Sequence, residues 1–220
     1  MDFALSGTFQ LITFISSMLM VYTKGEDWVH VFTATTGGKG SVYNLYTDEN
    51  SSVQEQRTKE ISSSTVKRHY KSDLINYWEH LNIEKVKVSI NKDGAEREYF
   101  IFNGTKSSKT DWFSRKRLLN TSYQDLNSTI HTNYFQINGD QQNKRRFFIN
   151  KYYAGCQYDS GWLVVLDMNA RRSCTWGKKY KQQGPLVSYC PSHVACIYDK
   201  FAGKDDMLAD NLEIYIKCKY

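Results

Sequence analysis

Proline is almost missing from this chain: there are two in 220 residues, beside 13 glycines. That leaves no room for a long Pro/Gly linker or a collagen-like repeat. Cysteine is missing from the first 155 residues. Beyond residue 22 no uncharged apolar run is long enough to cross a bilayer as a helix, which excludes a multi-span membrane protein. An acidic excess is missing as well, since the formal net charge is +6. What is present is the balance of a soluble globular chain, 40% hydrophobic and 24% charged, and it excludes a disordered tail. Aromatic residues reach 15%, which leans toward strands.

Two features are unevenly placed. All five cysteines (Cys156, Cys174, Cys190, Cys196 and Cys218) lie in the last third. Residues 143–220 hold 13 of the 29 basic and 7 of the 23 acidic side chains, so the whole excess of +6 lies there.

The N-terminus sets the expected compartment. Phe3 to Tyr22 carries no charge, and its densest apolar part runs from Leu11 to Val21. This is the length and position of a secretory leader, with Gly25 as the small residue before a cleavage point. We therefore expect a signal peptide over 1–25 and one extracellular domain over 26–220. A signal anchor and a buried core helix are the rival readings, and Ser6, Gly7, Gln10, Thr13, Ser16 and Ser17 within the run weaken the anchor. In an oxidising compartment the cysteines should pair. Asn50, Asn103, Asn120 and Asn127 stand in N-x-S/T sequons, a pattern suited to a secreted glycoprotein.

The alternation of residues 28–34 reads as a first strand, and Ser41 to Tyr46 as a second. Residues 48–65 read as an exposed polar loop. Asp73 is placed to cap a short helix carrying Leu74, Tyr77, Trp78 and Leu81, with a strand as the alternative. Val86 to Ile90, a turn over Asn91–Gly94, and Glu98 to Phe102 form a hairpin pattern with a four-residue loop. Part of Asp111 to Leu126 reads as helical. Strands are expected at Arg145–Tyr153, Gly161–Asp167, Leu186–Tyr189 and Leu212–Lys217. Seven or eight short strands with one or two short helices predict a mostly β chain, a single antiparallel jelly-roll-like sandwich.

Several motifs invite chemistry that their surroundings oppose. Asp159-Ser160-Gly161 is similar to a serine-protease nucleophile loop, but Tyr158 and Trp162 replace the small flanking residues an oxyanion hole needs. A tight turn into a strand, with Trp162 in the core, is the plainer reading. Cys190, His193 and Cys196 have zinc-ligand spacing, with Cys174 or Cys218 as a fourth ligand, yet secretion favours a disulfide. Gly37 to Ser41 lacks the spacer of a phosphate loop and reads as a turn. Asp205, Asp206 and Asp210 fit no calcium-loop spacing. Lys144 to Arg146, Arg171, Arg172, Lys178, Lys179 and Lys181 form basic clusters among aromatics. In a secreted chain these suit acidic macromolecules or glycans better than nucleic acid. No pair of carboxylates and no Cys/His pair has catalytic spacing, so the chain reads as non-enzymatic, with neither cofactor nor metal.

One stretch carries a resemblance. Arg146 to Cys156 reads RFFINKYYAGC; Asp159 follows, then Gly161 to Asp167, then Cys174-Thr-Trp176. With Asp111–Ser114, Arg117–Leu119 and Ala209–Ile216, the sequence resembles uncharacterised extracellular proteins of cnidarians and molluscs. These include skeletal organic matrix proteins of stony corals. The resemblance covers about residues 28–217 and implies an extracellular, matrix-associated protein. It also implies a Cys156–Cys174 bridge, since those positions match the family's paired cysteines. We expect Cys190–Cys196 as the second bridge and Cys218 as a left-over thiol able to couple to a partner chain. A carbohydrate-binding module is the second functional reading, because exposed tyrosine, tryptophan, Asp and Asn side chains suit sugars. An extracellular enzyme is the third.

Overall fold

A computed structural model describes residues 28–51, 67–153, 155–168, 170, 174–180 and 184–219. The expected leader over 1–25 and most of the expected loop over 48–65 lie outside them. The described chain is mostly β, arranged as two antiparallel sheets with a few short helices. The first sheet holds β1 (Val29–Thr35), β2 (Tyr70–Lys71), β3 (Ile83–Lys92), β4 (Ala95–Asn103), β5 (Leu118–Thr121) and β11 (Asn211–Cys218). Their order is β2-β1-β11-β3-β4-β5. The second holds β6 (Tyr134–Gln136), β7 (Arg145–Tyr152), β8 (Ser160–Leu166), β9 (Leu186–Tyr189) and β10 (Cys196–Ile197). Here β8 pairs with β7 on one edge and with β9 and β10 on the other.

The two sheets read differently because they are buried differently. In β11, Leu212, Ile214 and Ile216 are buried while Glu213, Tyr215 and Lys217 are less so. This is the period-two signature of a strand with one face inward. In β8 every residue from Gly161 to Leu166 is buried. Such a strand is covered on both faces, so its sequence shows an unbroken apolar run. Side chains of both sheets meet in one core. Phe32 of β1 stacks near Phe147 of β7 at 6.3 Å, and Phe102 of β4 meets Phe135 of β6 edge-on at 5.9 Å. Phe113 touches Phe102, Phe135 and Phe147 together. Such offset and edge-to-face pairs each add about 0.5–1.5 kcal/mol beyond the area they bury.

Three expectations need correction. Ser41 to Tyr46 is not a strand. Ser41 caps α1 (Val42–Thr47), its hydroxyl accepting from the Asn44 amide. The Asp167 carboxylate, at the end of β8, accepts from the Ser41 hydroxyl and from the amides of Val42 and Tyr43. A carboxylate at a helix start satisfies amides that have no partner within the helix, and that outweighs the local alternation. The segment after Asp73 is a 3₁₀ helix, Asp73–His80, capped by Ser72 rather than Asp73. Finally, the β3–β4 turn is shorter than the four-residue loop read from Asn91–Gly94. Both strands extend until only Asp93 and Gly94 remain, at φ 54° and 72°, the backbone of a two-residue primed turn.

The helical expectation over Asp111 to Leu126 reduces to a 3₁₀ turn, Arg115–Arg117, followed directly by β5. The strands expected at Arg145–Tyr153, Gly161–Asp167, Leu186–Tyr189 and Leu212–Lys217 are present within a residue or so at each end.

Candidate functional site

The cysteine-rich end of the second sheet is built around a buried ion pair. Arg145 opens β7 and is 2% exposed; Asp159 immediately precedes β8 and is 1% exposed. Arg145 Nη1 donates to Asp159 Oδ2 at 3.2 Å, and Trp176 Nε1 donates to the same oxygen at 3.2 Å. Arg145 Nη2 donates to Cys174 Sγ at 3.2 Å. The guanidinium also lies 4.5 Å from the Trp176 ring centroid and 5.0 Å from that of Tyr153, so aromatic faces replace much of its lost hydration. Burial pushes the Asp159 carboxyl above its ordinary pKa, and the hydrogen bond from Trp176 and the Arg145 charge offset that only in part.

A second carboxylate closes the network. Asp140 Oδ2 accepts from the Tyr153 hydroxyl at 2.5 Å and from Asn143 Nδ2 at 2.6 Å. Burial alone would raise this carboxyl; the hydrogen bonds from Tyr153 and Asn143, helped by Arg145, more than reverse that and hold it below the usual value. Burial first, then the hydrogen bond to Asp140, drives the Tyr153 hydroxyl far above the ordinary tyrosine range.

The network fixes the turn between β7 and β8, and that turn together with the end of β7 carries the most exposed aromatic pair in the described structure. Cys156 in the turn is bonded to Cys174, at the start of α2 (Thr175–Lys178), with Cα atoms 5.0 Å apart. The Tyr158 amide donates to the Gly155 carbonyl at 3.1 Å, and the Asp159 carbonyl accepts from the amide of Tyr198 at 2.9 Å. Tyr158 thus sits between a disulfide and a buried ion pair. It is 59% exposed, and Tyr152, at the end of β7, is 53% exposed. These tyrosines, with Ile130, His131, Lys151, Ser160 and Ile197, line an open groove of about 700 Å³. That volume lies within the usual range for small-ligand clefts. Tyr152 pairs in register with Ser160, so the sheet itself sets the spacing of the wall.

The loop closed by Cys156–Cys174 is not a self-contained hairpin. It encloses β8, whose partners β7, β9 and β10 all lie outside the loop. The second disulfide joins Cys190 and Cys196, with Cα atoms 5.7 Å apart. His193, between them, faces Glu98: its Nδ1 lies 3.0 Å from that buried carboxylate, which also accepts from the Ser122 hydroxyl. Gln124 donates its amide to the His193 carbonyl and Ala195 donates its amide to Asp125, so this short loop is strapped to residues 122–125. Among the described residues no group of three or more His, Cys, Asp or Glu side chains gathers as a metal site.

Cys218 ends β11 half-buried, and burial pushes its thiol up to about 11. A thiol so rarely ionised at neutral pH is a poor nucleophile for coupling to another chain. The four sequon asparagines, Asn50, Asn103, Asn120 and Asn127, are all exposed. Asp159-Ser160-Gly161 brings no nucleophile forward: Asp159 faces inward, and a Cβ on Gly161 would lie 2.4 Å from the Tyr198 hydroxyl and 2.6 Å from the Asn150 Cα. Asp210 accepts from the Asp93 amide at the hairpin turn, and Asp205 and Asp206 lie exposed in a 3₁₀ turn.

The basic cluster is only partly available. Arg145 is internal, and Arg146 donates to Asn138 and lies 4.2 Å from the Tyr43 ring centroid. Lys179 pairs with Asp199 at 3.2 Å. Arg171, Arg172 and Lys181 lie outside the described residues.

Comparison with protein-family models, curated proteins and solved structures finds no match. The groove and its buried support therefore rest on their own geometry. Sequence reasoning met Tyr158 only as an obstacle to a protease loop. The usable signal was the run Lys151-Tyr152 four residues ahead of Cys156; both side chains are exposed where β7 ends.

Proposed function

We propose that this is a secreted, non-enzymatic interaction protein of the extracellular matrix, a β-sandwich stapled by disulfides in its C-terminal half. The observation that carries the reading is the pair of bridges, Cys156–Cys174 and Cys190–Cys196, within one segment of a mostly β chain. Such bridges persist in oxidising compartments and are rare in reducing ones. The uncharged N-terminal run and four exposed sequon asparagines support the same placement. Among the described residues no helix is long and apolar enough to cross a membrane. The resemblance to skeletal matrix proteins adds a mineralised matrix as the setting, with acidic macromolecules or glycans as partners. Non-reducing peptide mapping of protein recovered from the extracellular matrix tests the reading. Linked Cys156 and Cys174 peptides are expected; recovery only from cytosol, with both thiols free, overturns it.

Saccharide recognition is the second reading, favoured by the Tyr152/Tyr158 groove. Planar aromatic faces offer apolar area to the C–H face of a pyranose, while hydroxyl, imidazole and ammonium groups answer its hydroxyls. A glycan array probed with the wild type and with Tyr152→Ala should show saturable binding that the variant loses. Binding to no glycan overturns recognition of external sugars.

A further inference from the structure

We infer that the Tyr152/Tyr158 groove is a cradle for the protein's own N-linked glycan, carried on Asn127. The inference rests on the secreted reading and names the saccharide that the groove holds. A glycan attaches at the asparagine Nδ2 of an N-x-S/T sequon, and Asn127-Ser128-Thr129 is one. The Asn127 side chain is already oriented by its neighbours: its Oδ1 accepts from the Thr129 amide at 2.9 Å, the Thr129 hydroxyl at 2.7 Å and the Ile130 amide at 3.2 Å. Its Nδ2 makes no hydrogen bond to any described residue, and the residue is exposed.

Ile130, bonded to that carboxamide, and His131 after it are themselves walls of the groove. The glycosylated residue is therefore hydrogen-bonded to a wall residue of the groove, whose other walls include two tyrosines that are each more than half exposed. The remaining sequons lack this arrangement. None of Asn50, Asn103 or Asn120 adjoins a residue that lines the groove.

The chemistry of the walls fits the sugars nearest an asparagine. Those sugars are neutral and carry N-acetyl groups, which suit aromatic faces and an apolar floor such as Ile130 and Ile197. A neutral ligand also suits the local charge, because Lys151 is already 3.3 Å from the Asp125 carboxylate. Covalent attachment next to a wall residue raises the effective concentration of the sugar, so weak stacking suffices to hold it.

The test uses the full chain secreted from a eukaryotic cell line. Site-by-site glycopeptide analysis is followed by timed digestion of the native protein with peptide-N-glycosidase. Asn127 should carry a glycan, and its release should be about tenfold slower than release at Asn103, a difference of about 1.4 kcal/mol in protection. Tyr152→Ala with Tyr158→Ala should remove the delay, whereas Tyr152→Phe with Tyr158→Phe should keep it, since the rings remain. Equal release at Asn127 and Asn103 in the wild type overturns the inference. So does an Asn127 left bare while other sequons are occupied, or a delay that survives the alanine pair. A chain bare at all four sequons overturns both the inference and the secreted reading.

Discussion

Arg145 shows how much one residue can organise. Its guanidinium meets a carboxylate, a disulfide sulfur and two aromatic rings while almost wholly shielded from water. Removing one partner of a buried pair leaves the other charged and dry, at a cost of about 3–5 kcal/mol. Arg145→Ala should lower stability by that amount in a urea titration, and Asp159→Asn should partly restore the double variant. Asp140 supplies a pH signature. Its folded carboxyl titrates below the unfolded one, so it stabilises the fold above about pH 4 and loses that contribution as pH falls through its depressed value. The stability gap between wild type and Asp140→Asn should be largest near neutrality and shrink in acid. Asp159 runs the other way: its raised carboxyl adds stability in acid that is lost as pH rises through the raised value. A gap for Asp140→Asn that grew toward low pH would contradict this network.

At the level of elements, legibility followed burial. The one-sided strands β1, β3, β4 and β11 could be read from alternation, since each keeps one face dry. The strand β8 could be read from its apolar run. By contrast, α1 could not be read, because the carboxylate that fixes its start arrives from a residue more than a hundred positions away. The groove was hidden for a similar reason. Tyr152 and Tyr158 become exposed only because a bridge and an ion pair hold their turn, and neither partner is local. The turn between β6 and β7 is equally demanding. Gly139 has φ 53°, and a Cβ there would lie 1.9 Å from the Arg145 carbonyl oxygen. Gly139→Ala should therefore cost more than about 2 kcal/mol, because backbone itself must shift. Gly94→Ala, with open space around its Cβ, should cost only about 1 kcal/mol by thermal melting.

For the molecule as a whole, the two bridges differ in leverage. Cys156–Cys174 spans a sequence separation of 18 and Cys190–Cys196 one of 6, so chain entropy assigns them about 3 and about 2 kcal/mol. A Cys156→Ser, Cys174→Ser double variant should melt lower than a Cys190→Ser, Cys196→Ser one, as differential scanning calorimetry would show. It should also free the Tyr158 turn, with faster amide exchange there. Equal losses would mean that the ion pair, rather than the bridge, holds that end together.

The place of β11 has a consequence for how the chain is made. It lies between β1 and β3, pairing Val29 with Ile216 and Val86 with the same residue. The first described strand therefore waits for the last, and the middle of its sheet cannot close until Asn211–Cys218 has left the ribosome. Early strands spend that interval with open edges that invite chaperones. A chain stopped at Asp210 should stay protease-sensitive and bound to folding factors even with every glycine, cap and staple in place.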